Sequence, residues 1–232
     1  MGQENAAPSA YPGAVIIGGG NFVAVRFSNE ELPPLFGAAL RFSLAAALFF
    51  MIARVRGTPV PRGRAASGAA LYGLPGFGLA CAFLYYALVG LAAGTASVIM
   101  ASVPLLTLAM AVAHGQSLPR PDPITTNAIG MTAGAALLWV ASLAFGEAWA
   151  LPDTGRTWLV LGYLVLLGSV ALFILFLYVI ERWTASATTY AIALMPVFAV
   201  LFGSLLAQEP ITLELVGGGA LVMVAVYVGA LA

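Results

Sequence analysis

Eight long apolar stretches, each bounded by charge or proline, decide most of what this chain can fold into. They run Pro12 to Phe27, Pro34 to Ala53, Gly68 to Leu91, Ala96 to Ala113, Asn127 to Phe145, Trp158 to Ile180, Ala187 to Ala207 and Leu213 to Leu231. A helix of about 20 apolar residues crosses a hydrocarbon core roughly 30 Å thick. None of the stretches alternates with the period of two that a barrel strand needs. Only 8% of the 232 residues are charged and 62% are hydrophobic, against about 25% charged in a soluble domain. The sequence therefore predicts an all-α integral membrane protein of about eight transmembrane helices, with no room for a separate soluble domain. The first stretch, 16 residues or about 24 Å, is short for a full span.

Charge sets the orientation and removes several classes of function. Arg54, Arg56, Arg62 and Arg64 share one loop, and Arg120 and Arg182 fall in the next two loops on the same side. That side is expected to be cytoplasmic, which with an even number of spans puts both termini inside. The polar start, Met1 to Ala10, has no cationic region and does not read as a cleaved secretory signal. Nine arginines balance nine acids and lysine is absent, so no polybasic tail calls for nucleic acid; the expected partners are the lipid bilayer and a small-molecule substrate. A single Cys81 and a single His114 cannot build an intrachain disulfide, a Cys/His metal cluster or a Cys–His nucleophile pair without distant help. No GxSxG or HExxH run occurs. Glu181, Glu209 and Glu214 all sit at helix ends. No catalytic set, metal site or cofactor is expected.

The chain also repeats itself. Tyr86, Pro104 and Gln116 recur as Tyr178, Pro196 and Gln208 at a constant offset of 92, and Gly76 falls on Gly168. Further upstream, Pro34 falls on Pro123. Two halves are thus expected, residues 1–115 with four helices and residues 116–232 with four more. The third helix runs outward and its counterpart, the sixth, runs inward, so the repeats are inverted, as in carriers that work by alternating access.

Candidate binding residues follow from what is costly in lipid. Arg41 lies eight residues into the second span, where an arginine costs at least about 2.5–3.5 kcal/mol. It reads either as the counter-ion of a substrate carboxylate or phosphate or as a packing residue bonded to neighbouring carbonyls. Asn21, after Gly18-Gly19-Gly20, puts an amide beside backbone that can be approached closely; the alternative is a glycine seam with Asn21 bonded across helices. Pro104 and Pro196 each remove a mid-helix hydrogen bond and free a carbonyl, for gating or for a static bend. Tyr86, Tyr178, Tyr190 and Trp139 offer aromatic walls with a polar edge, or interface anchors.

These residues resemble a known family, the EamA-type branch of the drug/metabolite transporter superfamily. The resemblance rests on GGGNFVAVRF followed by LPPLFGAALRF, on AGTASVIMASVPLLTLAMAV, and on RWTASATTYAIALMPVFAVLFGSLLAQEPITLELVGGGAL. It implies a carrier built of two inverted five-helix repeats, with the first helix and the proline-containing helices lining a central cavity, and Glu209-Pro210 marking the end of one of them. It also implies a bacterial inner-membrane location and export of a small metabolite such as an amino acid or organic acid. The chain departs from the family in one respect: the family's seventh helix follows its fourth directly, so two helices of the usual ten are missing. A shortened carrier, a carrier completed as a homodimer and a non-transporting component derived from such a carrier all fit that departure.

Overall fold

The computed structural model describes residues 7–100, 122–182 and 185–231, and every regular element among them is helical. Eight helical stretches follow one another: α1 Ala7–Ser28, α2 Pro34–Val55, α3 Arg64–Gly90, α4 Ala93–Met100, α5 Pro123–Ala144, α6 running through Gly155–Val165, Leu166–Ala171 and Leu172–Arg182, α7 Ala185–Ala207 and α8 Leu213–Leu231. Among the described residues α2, α3, α5 and the span Gly155–Tyr178 of α6 are long and apolar enough to cross a membrane. The all-helical membrane architecture expected from the apolar stretches is thus the one observed. Pro104 lies outside the described residues, as does the side chain of Tyr190.

Helix starts differ from the apolar boundaries for local chemical reasons. The expected fifth span begins at Asn127, yet α5 begins at Pro123, because Asp122 accepts a hydrogen bond from the Thr125 N–H at 3.0 Å. Proline at the first helical position loses no bond the helix could have made. Likewise the Thr154 hydroxyl accepts from the Thr157 N–H at 3.3 Å and starts α6 ahead of Trp158. The first helix begins at Ala7 and takes in Pro12. Its 22 residues reach about 33 Å, longer than the apolar stretch itself, and α1 is not among the four described helices long and apolar enough to cross a membrane.

The repeat has a structural counterpart. Both α3 and α6 contain one π-helical turn, Leu74–Leu79 and Leu166–Ala171, and the two are separated by the same 92 residues that relate Tyr86 to Tyr178. A π turn carries one residue more than an α turn and rotates everything after it; such turns occur often at functional sites.

The chain divides into two compact units, one of residues 24–90 and 119–171, the other of residues 1–23, 91–118 and 172–232. Each draws on both halves of the sequence. In the first unit α5 packs along α2 and crosses α3. The α3–α5 crossing is made by glycines: a Cβ on Gly73 would overlap the Gly130 carbonyl, and one on Gly134 would lie 2.8 Å from the Gly78 nitrogen. Close backbone approach of this kind is how helices associate in lipid, where burial of apolar surface gives no net driving force. In the second unit the glycine run of α1 meets α7, since a Cβ on Gly19 would come within 2.8 Å of the Met195 carbonyl oxygen.

An exposed polar cluster ties the loop after α1 to the start of α6. Glu31 accepts hydrogen bonds from the N–H groups of Asp153 (3.1 Å) and Thr154 (3.3 Å) and from the Thr154 hydroxyl. Beside it Arg156 pairs with Glu30 at 2.9 Å and stacks on Phe27. The Thr154 hydroxyl, more than any other group, holds the Glu31 carboxyl below its ordinary 4.5. Because the folded-state value is the lower one, the contribution of this contact is complete above 4.5 and is lost as pH falls through the depressed value. Amide protection at Asp153 and Thr154, followed by hydrogen exchange, should therefore be level from neutrality to about that pH and fall below it. Glu31→Gln should lower the plateau and remove the acid step; an acid step that survives in Glu31→Gln would assign it to another group.

Candidate functional site

Arg41 organises the only buried cluster around a cation among the described residues. Its side chain is 5% exposed. Nε donates to the Ser169 hydroxyl at 2.9 Å, Nη2 donates to the Gly168 carbonyl at 2.9 Å, and Nη1 makes a long 3.5 Å contact with the Tyr85 hydroxyl. Two partners, Gly168 and Ser169, belong to the π turn of α6, whose wider winding offers a backbone carbonyl sideways to a donor from another helix. The third, Tyr85, is fully buried on α3, six residues beyond the matching π turn. All three are neutral, and no carboxylate among the described residues pairs with Arg41.

The cluster is a preformed cation with neutral partners. A guanidinium has five N–H donors in a planar fork, and only three are spent on the groups above. One donor remains on each terminal nitrogen. In general a guanidinium edge with two free N–H groups can donate both to a carboxylate or phosphate.

The other residues singled out in the sequence lie elsewhere. Trp139 is half-buried on α5 and donates its Nε1–H to the Ser43 hydroxyl at 3.0 Å; its ring meets Phe36 and Trp149 edge to face. Tyr86 is 43% exposed and its hydroxyl reaches Glu147 at 3.4 Å. Neither shares a partner with Arg41, although both are in its unit. Asn21, Tyr178 and Pro196 belong to the second unit. There Pro196 is buried and, with Val98, Val200, Leu215 and Met223, lines an apolar groove of about 330 Å³. Gly18 and Gly19, just before Asn21, press on Met195 and Phe198, which flank that proline in α7.

Sequence reasoning missed Tyr85, Ser169 and the role of Gly168. Gly168 carried a signal, its coincidence with Gly76 in the repeat. Tyr85 carried none, being one residue away from the tyrosine that the repeat selects.

Comparison with known proteins adds the family. Residues 12–121 and 114–230 each match the model of the EamA-like transporter family. The chain is 27% identical over 270 residues to the uncharacterized inner membrane transporter YedA of Escherichia coli K12, covering 92% of this chain and 87% of that protein. It is 25% identical over 266 residues to an uncharacterized transporter of Archaeoglobus fulgidus, covering 89% and 92%. Each alignment is longer than the 232 residues of the chain, so both relatives carry segments with no counterpart here. No solved structure matches the chain significantly.

Proposed function

The chain belongs to the EamA-like transporter family, and on that premise we propose that it is a secondary carrier exporting a small metabolite with an acidic group, an amino acid or organic acid, across the bacterial inner membrane. The observation that carries this reading is Arg41, a cation kept 5% exposed among neutral acceptors. In lipid, a buried cation that serves packing alone is expensive, and such groups as a rule mark substrate paths. With the cargo's anionic group on the two unspent donors, the charge of Arg41 is offset and the complex is less costly to hold within the membrane than the empty site. Specificity then falls to the groups around the fork, of which Tyr85 and Ser169 are the polar ones. Alternating access supplies the movement.

Counterflow in proteoliposomes tests the reading. Purified protein should accumulate at least one labelled cargo from a panel of amino acids and organic acids, saturably and against unlabelled cargo on the other side. Cations of similar size should not compete. Folded protein that moves no member of the panel would favour a non-transporting component derived from such a carrier.

A further inference from the structure

Each compact unit contains the same device, a glutamate that joins the end of one helix to the start of another. In the first unit Glu147 follows Gly146 (φ 69°), which ends α5; its N–H turns back to the Ser142 carbonyl at 3.0 Å, and its carboxylate accepts from the N–H groups of Leu35 (3.1 Å) and Phe36 (2.8 Å) at the start of α2. In the second unit Glu209 follows Gln208 (φ 53°), which ends α7; its N–H turns back to the Gly203 carbonyl at 3.1 Å, and its carboxylate accepts from Ala93 (2.9 Å) and Gly94 (3.5 Å) at the start of α4.

The receiving N–H groups are those of a first helical turn, which have no acceptor within their own helix, and the positive end of the helix dipole adds to the attraction. Both clasps are built in rather than incidental. The Ser142 hydroxyl donates to Glu147 at 2.7 Å and is itself held by the Trp149 indole N–H at 3.0 Å. Gly203 leaves the space that the Glu209 carboxylate fills, and a Cβ there would overlap it. Gln208 is the one non-glycine residue with positive φ among those described, a strained conformation that persists only where surroundings enforce it.

Both clasps join a helix of the first sequence half to a helix of the second. We infer that Glu147 and Glu209 are positioning residues that make α2 with α5, and α4 with α7, each move as a single body, so that the moving parts of the carrier are not its two sequence repeats. The inference rests on the alternating-access reading above. It requires that the clasps stay closed through the cycle and set its maximal rate, leaving cargo affinity untouched.

The test uses the full chain in lipid, with Gly203→Ala, which displaces the Glu209 carboxylate but keeps its charge, and Glu147→Gln, which keeps its size. Hydrogen exchange at Ala93 and Gly94 should quicken about tenfold in Gly203→Ala, as for a lost helix cap, together with exchange in the last turn of α7, while Leu35 and Phe36 stay unchanged. Glu147→Gln should show the reverse pattern, at the start of α2 and the end of α5. In counterflow of the labelled amino and organic acids the maximal rate should fall several-fold at constant half-saturation. Exchange that quickens only at the capped amides, or a maximal rate that stays at the wild-type value, would reduce the glutamates to ordinary helix caps and overturn the inference. Absent flux in the wild-type protein would remove the carrier reading instead, and exchange alone would then decide whether the pairs are joined. Should one variant fail to fold, the other clasp gives the same measurement independently.

Discussion

Arg41→Met should lose at least about 99% of cargo flux while the protein remains about as stable as the wild type. The first half follows from the two N–H donors that the cluster leaves for a ligand. Hydrogen bonds to a charged group contribute about 1.5–3 kcal/mol each, so removing two costs about a hundredfold or more in transport at limiting cargo. The second half follows from opposing changes within the empty site. Removing the cation relieves an insertion cost of at least about 2.5–3.5 kcal/mol. Against this, the Gly168 carbonyl and the Ser169 hydroxyl lose their donor, which costs about 1–3 kcal/mol for a buried acceptor. Methionine fills most of the vacated volume, so the cavity penalty of an alanine is avoided. Thermal unfolding in detergent should show a midpoint within a few degrees of the wild type, and counterflow should be lost. Arg41→Lys should also transport poorly, because a point charge cannot hold Ser169, Gly168 and a ligand in the fork geometry. A well-folded Arg41→Met with wild-type flux would take Arg41 out of the substrate path. A variant that fails to fold would make it a packing residue.

Much of the fold could be read directly from the sequence because bilayer thickness acts on every helix in the same way. All eight stretches are helical where the structure describes them. What could not be read is whatever depends on a distant partner. The start of α4 at Ala93, rather than at Ala96, depends on Glu209, which is more than a hundred residues away and gives no local sign of being a cap. Arg41 was legible alone, since a cation at mid-membrane is conspicuous by cost. Its shell was not. The repeat pointed to Tyr86, which matches Tyr178, yet the tyrosine that reaches Arg41 is Tyr85. The repeat matches residues by offset alone and, with a π turn at the same place in both helices, does not say which of two adjacent tyrosines faces α2. A pattern of period 3.6 cannot be carried through such a turn, so neighbouring residues exchange faces without any change in composition. The same holds for Ser169, which lies inside the second π turn.

Gly73→Ala should be the most destabilising single-methyl change in α3, and Gly68→Ala, on the same helix, should be neutral or mildly stabilising. Nothing lies within 4 Å of a Cβ built on Gly68, so alanine there only restricts the unfolded chain and improves helix propensity, by about 0.4–1 kcal/mol. At Gly73 the same atom would overlap the carbonyl oxygen, Cα and carbonyl carbon of Gly130. A clash with a side chain can be relieved by a change of rotamer, but here both sides are backbone. The helices must therefore separate along the crossing that Gly78 and Gly134 continue, and the wider spacing weakens dispersion forces that lipid does not replace with a hydrophobic term. Overpacking of this kind costs about 1–3 kcal/mol, and more where nothing can yield. The displacement also reaches the candidate site, because α3 carries Tyr85 to Arg41. A thermal midpoint lowered by several degrees in Gly73→Ala but not in Gly68→Ala, with flux reduced in the first alone, is the expected pair of results. Equal midpoints for the two variants would mean that the α3–α5 crossing has slack and that close glycine packing does not hold this unit together.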